Sequence, residues 1–254
     1  MIEALIIIIL LLAISIFFFK QAVTEFQILQ TDSFEKVPPL LSEKCPVVVH
    51  PFLQSGLYTP HNIRQIPKLA ALPLGKKKFL QYLDESPQQP SNFHIDDSTS
   101  QLIASLSGLD TWCNHTFPQY LKSKSILSHL YRYETYAYIG SQGLRPTYGS
   151  CTILFPTYGT IHVSLLTEAS DPFLPHDYKG KQVSSFDKNN TPLLEKIQYI
   201  DVIIRQGDAL VIPPHWKVCY SDDPANKSPS CSVWVEVHHP ISTLVKKLQQ
   251  YRKL

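Results

Sequence analysis

The chain has 254 residues, with 23 Lys and Arg against 21 Asp and Glu, a net charge of +2, and only 17% charged residues. So balanced a composition carries no electrostatic footprint for nucleic acid: the short basic runs at Lys76–Lys78 and at Lys246, Lys247, Arg252 and Lys253 read as solvated helix faces. Nine Gly against twenty Pro exclude collagen-like and flexible-linker compositions and suit a domain with many turns.

Every residue from Ala4 to Phe19 is apolar except Ser15, and Lys20 closes the run. Such a stretch is about the shortest that spans a hydrocarbon core, and a backbone in lipid must be helical to satisfy its own hydrogen bonds. A cleaved signal peptide needs a basic start and a small-residue cleavage site. Here Glu3 stands at the start, and Phe17, Phe18, Phe19 and Lys20 stand at the end, where a small-residue cleavage site would lie. The reading is a retained anchor over 1–22, entering the membrane through residues 4–19, followed by one domain over 23–254. Lys20 and Lys36 lie on the C-terminal side of the span and no Lys or Arg precedes it, which turns the domain toward the cytoplasm. The N-x-S/T triplets at Asn114, Asn189 and Asn226 point the other way but recur by chance in such a chain.

Along the domain, Ser33 is placed to cap a short helix running to Leu41, and Val47–Val49 follow a turn as a β-branched strand. A helix is expected over 76–83, with Phe79, Leu80 and Leu83 on one face, then a Pro/Gln/Ser loop over 87–92. Another short helix fits 101–109, and 117–130 reads as irregular or helical. The second half is dominated by short strands, at 136–139, 152–155, 160–166, 199–204, 209–212, 217–220 and 231–237. In the last, Val233, Val235 and Val237 share one face while Ser232, Trp234 and Glu236 share the other. Ile241, Leu244, Val245, Leu248 and Tyr251 recur at helical spacing and predict an amphipathic closing helix. Many short strands with turn signals predict a mainly β sandwich or barrel with flanking helices.

The five cysteines, Cys45, Cys113, Cys151, Cys219 and Cys231, form no CxxC pair and are odd in number. This argues against a thiolate zinc site and excludes a complete disulfide framework. A single Cys219–Cys231 bridge stays open. There is no Walker loop, GxGxxG, G-x-S-x-G or HExxH sequence.

The most informative segment is Arg205-Gln206-Gly207-Asp208-Ala209-Leu210-Val211-Ile212-Pro213-Pro214-His215-Trp216. Gly207-Asp208 makes a tight turn, Val211 and Ile212 enter a sheet, and Pro213-Pro214 end its pairing. The segment resembles the late hairpin of the JmjC and cupin-like oxygenases. Cys45 to Val49 resembles the strand that begins such domains, and Tyr138-Ile139-Gly140-Ser141-Gln142-Gly143 the strand before their first metal ligands. The resemblance covers about Glu25 to Val237. It implies a double-stranded β-helix, the cupin or jelly-roll barrel, and in active members Fe(II) and 2-oxoglutarate as cofactors. The family's chemistry needs two histidines and a carboxylate around an open iron site. The first pair is expected shortly after Gly143, where Leu144-Arg145-Pro146-Thr147-Tyr148 stand, and no Asp or Glu occurs from Ser141 to Thr167. Lys217 and Val218 replace the distal histidine, and Gly159-Thr160-Ile161-His162 lacks the 2-oxoglutarate lysine.

Three readings follow. The first is a catalytically inactive, membrane-anchored binding or structural module with a protein partner, no metal and no cofactor. Degenerate, membrane-tethered domains of this sort are familiar in large DNA viruses, which extends the reading to a virion-associated role. The second is an oxygenase with a rearranged metal site, drawing on His162, His215, Glu236, His238 and His239. The third is a small-ligand barrel for a sugar or anion, with a mouth lined by Tyr148, Tyr158, His162 and Trp216.

Overall fold

The computed structural model describes residues 2–21, 26–52, 56–75, 77–84, 95–121, 130–186 and 193–251. Lys76, the loop at 87–92, Asn189, Arg252 and Lys253 lie outside them.

Helix α1 (Ile2–Lys20) contains one 18-residue window, Glu3–Lys20, long and apolar enough to cross a membrane; none of its residues is fully buried, and its Phe19 end rests half-buried against His215 and His239. Its 19 residues extend about 28 Å, close to the ~30 Å of a hydrocarbon core. Ser15 donates its hydroxyl to the Leu11 carbonyl at 2.8 Å, so the run's one polar side chain is satisfied within the helix.

Strand β1 (Leu29–Thr31) lies parallel to β2 (Val47–Val49). Between them Ser33 caps a 3₁₀ turn that runs into α2 (Val37–Leu41). Helices α3 (Pro60–Gln65) and α4 (Pro67–Ala70) follow. The helix expected over 76–83 begins only at Phe79. Lys77 and Lys78 form β4, hydrogen-bonded back onto β3 (Pro73–Leu74), and α5 covers Phe79–Leu83. Helix α6 (Asp97–Leu106) starts earlier than its apolar spacing suggests, because Asp96 accepts the Thr99 amide as an N-cap. Helix α7 (Leu109–Tyr120) buries Leu109, Cys113 and Phe117, one stripe at i, i+4 and i+8.

The remaining strands are β5 (Arg132–Ile139), β6 (Gln142–Pro146), β7 (Cys151–Tyr158), β8 (Thr160–Leu166), β9 (Tyr199–Arg205), β10 (Ala209–Ile212), β11 (Lys217–Asp222) and β12 (Cys231–His238), before helix α8 (Pro240–Tyr251). The segment 138–143 is not one strand. Gly140 turns at φ +69°, its amide bonds to the Ser230 carbonyl, and the chain passes from one sheet to the other. The six-stranded sheet has order β1-β2-β10-β7-β12-β5 and the four-stranded sheet β6-β11-β8-β9. From β5 to β12 the chain therefore alternates between sheets, staying in one only from β8 to β9.

One buried cluster takes side chains from both sheets, and Tyr220 and Ser232 join them hydroxyl to hydroxyl at 2.7 Å. On the far side of the larger sheet, Phe155 meets Phe52 and Phe117 beneath α7, with ring centres 4.9 and 6.2 Å away. Five free cysteines are all buried. The Cys219–Cys231 bridge is not formed: Cys219 packs with Leu144 and Leu166 in a second, smaller cluster, while Cys231 lies in the main core.

Candidate functional site

Strand alternation sends Ser232, Trp234, Glu236 and His238 to the face of β12 that looks at the smaller sheet. On neighbouring β5 the register places Tyr138 opposite Ser232, Tyr136 opposite Trp234 and Glu134 opposite Glu236. Two carboxylates directly across a strand pair repel. Here they are held by cations from three elements.

Arg145, from β6, enters from the smaller sheet. Its guanidinium carbon lies 4.6 Å from the Trp234 ring centre and 5.5 Å from those of Tyr136 and Tyr138, a cation enclosed by three aromatic rings. It donates to the Tyr138 hydroxyl and lies 3.2 Å from Asp97 Oδ1 and 3.8 Å from Glu236 Oε1. Tyr138 in turn donates to Asp97 at 3.0 Å. Trp234 Nε1 donates to Glu236 Oε1 at 3.3 Å. The other Glu236 oxygen meets His238 Nε2 at 3.1 Å and Lys246 Nζ at 3.4 Å. Glu134 Oε2 lies 3.3 Å from both His238 Nε2 and Lys246 Nζ, and accepts from the Tyr136 hydroxyl at 3.0 Å.

Shared charge sets the ionisation of this group. The His238 contact, then Lys246, overcome partial burial and hold Glu134 down at about 2. Burial raises Glu236, but His238, Lys246 and Arg145 together outweigh it and leave it below the usual carboxylate range. Burial works against the charged form of His238, and the two carboxylates reverse it, so its pKa is raised. Its contacts are those of charge rather than of aligned hydrogen bonds, since neither ring nitrogen meets bonding geometry.

Donor atoms of Glu134, Glu236 and His238 lie within 4.8 Å of one another, a spacing a metal ion could use. Lys246 already contacts both carboxylates, and Arg145 approaches Glu236 from the other side, so the protein's own cations balance the charge there. Fe(II) and 2-oxoglutarate do not fit the position the family resemblance assigns them. Past Gly143 the interior receives a guanidinium, and opposite Arg145 in the register stands buried Val218, which offers no donor.

The sequence-derived candidates do not converge. His162 projects from the outer face of the smaller sheet, its side chain 44% exposed, with Nε2 3.2 Å from Asp223 Oδ2. It shares a shallow groove with Ser164, Tyr199 and Asp201. His215 sits in a turn at φ +71° and donates through Nε2 to the Phe19 carbonyl of α1 at 3.1 Å. Trp216 is buried and donates to the Lys44 carbonyl at 3.2 Å. Trp216 precedes Lys217, which pairs with Leu166, four residues or about 13 Å along β8 from His162. Tyr148 precedes β7, while Tyr158 ends it and receives a hydrogen bond from Ser228 at 3.1 Å. The four residues Tyr148, Tyr158, His162 and Trp216 thus divide between opposite ends of the sheets and line no common mouth. Glu236 and His238, two residues apart on one face, do meet. His239 faces away, its Nδ1 accepting the Ser242 amide at 3.0 Å.

Arg145, Glu134 and Lys246 are the cluster members that sequence reasoning missed. Glu134, Tyr136 and Tyr138 recur at period two, which places all three on one strand face. Lys246, read from sequence as part of a solvated face, is instead partly buried against the two glutamates.

No family model matches the chain, and no curated protein does. Among solved structures, the crystal structure of hydroquinone 1,2-dioxygenase from Sphingomonas sp. TTNP3 with 4-hydroxybenzoate bound is similar at 14% identity and a TM-score of 0.28. That match covers 44% of this chain and 61% of that one, so the chain spans less than two thirds of the dioxygenase.

Proposed function

We propose that the chain is a membrane-anchored, non-catalytic module of the JmjC and cupin-like class, built on a double-stranded β-helix and acting by binding a protein partner. The strand orders β5-β12-β7-β10 and β6-β11-β8-β9 support the β-helix reading. The observation that carries the loss of catalysis is Arg145, a fixed cation among Tyr136, Tyr138 and Trp234 on the strand expected to lead into the iron ligands. A charge of the same sign as iron, with an apolar valine across from it, opposes metal binding there.

Helix α1 supports the anchor, being apolar on every side and satisfied at Ser15. Two features support a cytoplasmic domain. Five free buried thiols suit a reducing compartment. The Asn226 amide is also engaged at both ends: Nδ2 donates to the Thr160 carbonyl at 2.8 Å, and Oδ1 accepts the Thr160 amide at 3.1 Å. A glycan on that nitrogen would break the clamp.

The test is titration of the full chain in detergent with Fe(II), then with Mn(II), alongside a 2-oxoglutarate turnover assay reading succinate. The expected result is no stoichiometric metal binding and no succinate from protein with an intact cooperative melt. Tight one-to-one iron binding, or succinate release above a heat-denatured control, overturns the reading.

A further inference from the structure

We infer that the free edge of β9 pairs antiparallel with β9 of a second copy of this chain. The proposal does not depend on whether the module is catalytic. Its starting point is how the sheet edges are treated. In the larger sheet, β1 is three residues long and β5 has α6 and α7 packed along it. In the smaller sheet, β6 is covered by the segment at 180–181: Gly180 donates to the Leu144 carbonyl at 3.0 Å and Leu144 to the Lys181 carbonyl at 2.8 Å. Among the described residues, no strand pairs with the outer edge of β9.

The strand is seven residues long and pairs with β8 in unbroken register from Tyr199 to Arg205. At its last residue the Arg205 amide donates to Asp208 Oδ2 at 3.1 Å and the Arg205 carbonyl accepts the Asp208 amide at 2.9 Å, so the open backbone edge runs from Tyr199 to Ile203 and Arg205 offers its side chain alone. The strand holds no Pro, Lys or bulge, and the two charges it does carry, Asp201 and Arg205, are of opposite sign. Tyr199 and Ile203 are 47% and 49% exposed, and Asp201 and Arg205 are exposed on the same face.

Charge selects the occupant and its register. With Ile203 opposite Ile203 of the second copy, Asp201 faces Arg205 of the second copy, and the reverse pair forms by symmetry. Val202 then meets Ile204 of the second copy on the opposite face. Centring the pair on Asp201 or on Arg205 opposes like charges, and centring on Val202 leaves both unmatched. Asp201 is already positioned, accepting the Ser164 hydroxyl at 2.5 Å.

The two-fold axis of such a pair stands perpendicular to the sheet, between the two β9 strands, and reverses the strand direction. Tyr199 pairs with Leu166, and Leu166 with Lys217, two residues from the His215 that bonds α1. The Tyr199 end of β9 is therefore the end that holds the anchor, and the two α1 helices of the dimer leave from opposite ends. On the proposed membrane reading, the contact joins copies on two facing membranes.

The experiment measures the mass of the detergent-solubilised full chain by light scattering across a concentration series. A dimer is expected. Asp201→Arg or Arg205→Asp alone should weaken it about tenfold or more, since each opposes like charges in two symmetric pairs, and the double exchange should restore it. Thermal melts identify any variant that fails to fold, and Ile203→Lys then serves as the independent disruption. A monomeric wild type, single variants that remain dimeric, or a double exchange that does not recover each overturn the pairing. For the membrane consequence, vesicles carrying the full chain should cluster with wild type and disperse with Asp201→Arg. A detergent dimer without vesicle clustering overturns the facing-membrane geometry alone.

Discussion

The guanidinium of Arg145 and the indole of Trp234 stack at 4.6 Å although they belong to different sheets. Trp234 also donates to Glu236, which Arg145 approaches at 3.8 Å, so the pair closes a three-residue loop of cation, ring and carboxylate. A stack of this kind ties the relative position of the two sheets to one side chain. It also fills part of the space between them.

Replacing that side chain should therefore be costly. Arg145→Ala leaves Glu236, whose side chain is 3% exposed, without one of its neutralising cations, and the expected loss is about 3–5 kcal/mol. The Asp97 contact adds little, because Asp97 is 60% exposed. Arg145→Lys keeps the charge but not the planar stack and should lose less. Denaturant unfolding of the full chain in detergent measures both. If the carboxylate is the cause, Glu236→Gln in the Arg145→Ala background should recover part of the loss.

The Glu134–His238–Glu236 group gives stability a defined pH window. Glu134 is depressed to about 2, so its contribution is complete above its ordinary value near 4.5 and is lost as pH falls toward 2. Because its side chain is 41% exposed, that contribution is of order 1–2 kcal/mol. His238 is raised, so its contribution is complete below its ordinary value near 6.5 and is lost as pH rises through its folded-state value. The melting temperature should peak between the two ordinary values. His238→Gln should flatten the alkaline limb, and Glu134→Gln should lower the plateau. A wild-type profile that keeps rising above pH 7 would rule out the charged-histidine account.

Much of the fold is legible in the chain, because strand periodicity is a local signal. The strands at 160–166 and 209–212 match their expected bounds, and the others differ by a few residues at their ends. Helices α1 and α8 follow from an unbroken apolar run and from helical spacing. What escapes is set by distant partners. Lys77 and Lys78 become strand only because Leu74 and Pro73 lie opposite. Gly140 becomes a corner because Ser230 receives its amide. The central cluster fails for the same reason. Ser232, Trp234 and Glu236 are visibly on one face, but nothing local says that Arg145 and Lys246, 89 and 12 positions from Trp234, reach them from another sheet and a helix.

The cysteines make a sharp solution test. Burial pushes the Cys113 and Cys151 thiols to about 12 and Cys219 to about 11, and the thiolate is the reactive form. An aromatic disulfide reagent at pH 8 should find no reactive thiol in the folded chain and all five once it is unfolded. One thiol that reacts rapidly in the native state would show that its pocket opens.

Gly143 tests the covered edge of β6. A Cβ there would lie 2.0 Å from the backbone carbon and oxygen of Gly180, too close for any side-chain adjustment to relieve. Gly143→Ala must push the segment around 180 off the strand, breaking the two backbone bonds between Leu144 and residues 180 and 181. Overpacking and those lost bonds together should cost about 2–4 kcal/mol. Gly180 has open space at its own Cβ position but holds φ at +78°, so Gly180→Ala should cost only the backbone strain, about 1 kcal/mol. Paired unfolding curves separate the two substitutions. Hydrogen exchange adds the local readout, since the Leu144 amide should lose protection in Gly143→Ala and keep it in Gly180→Ala.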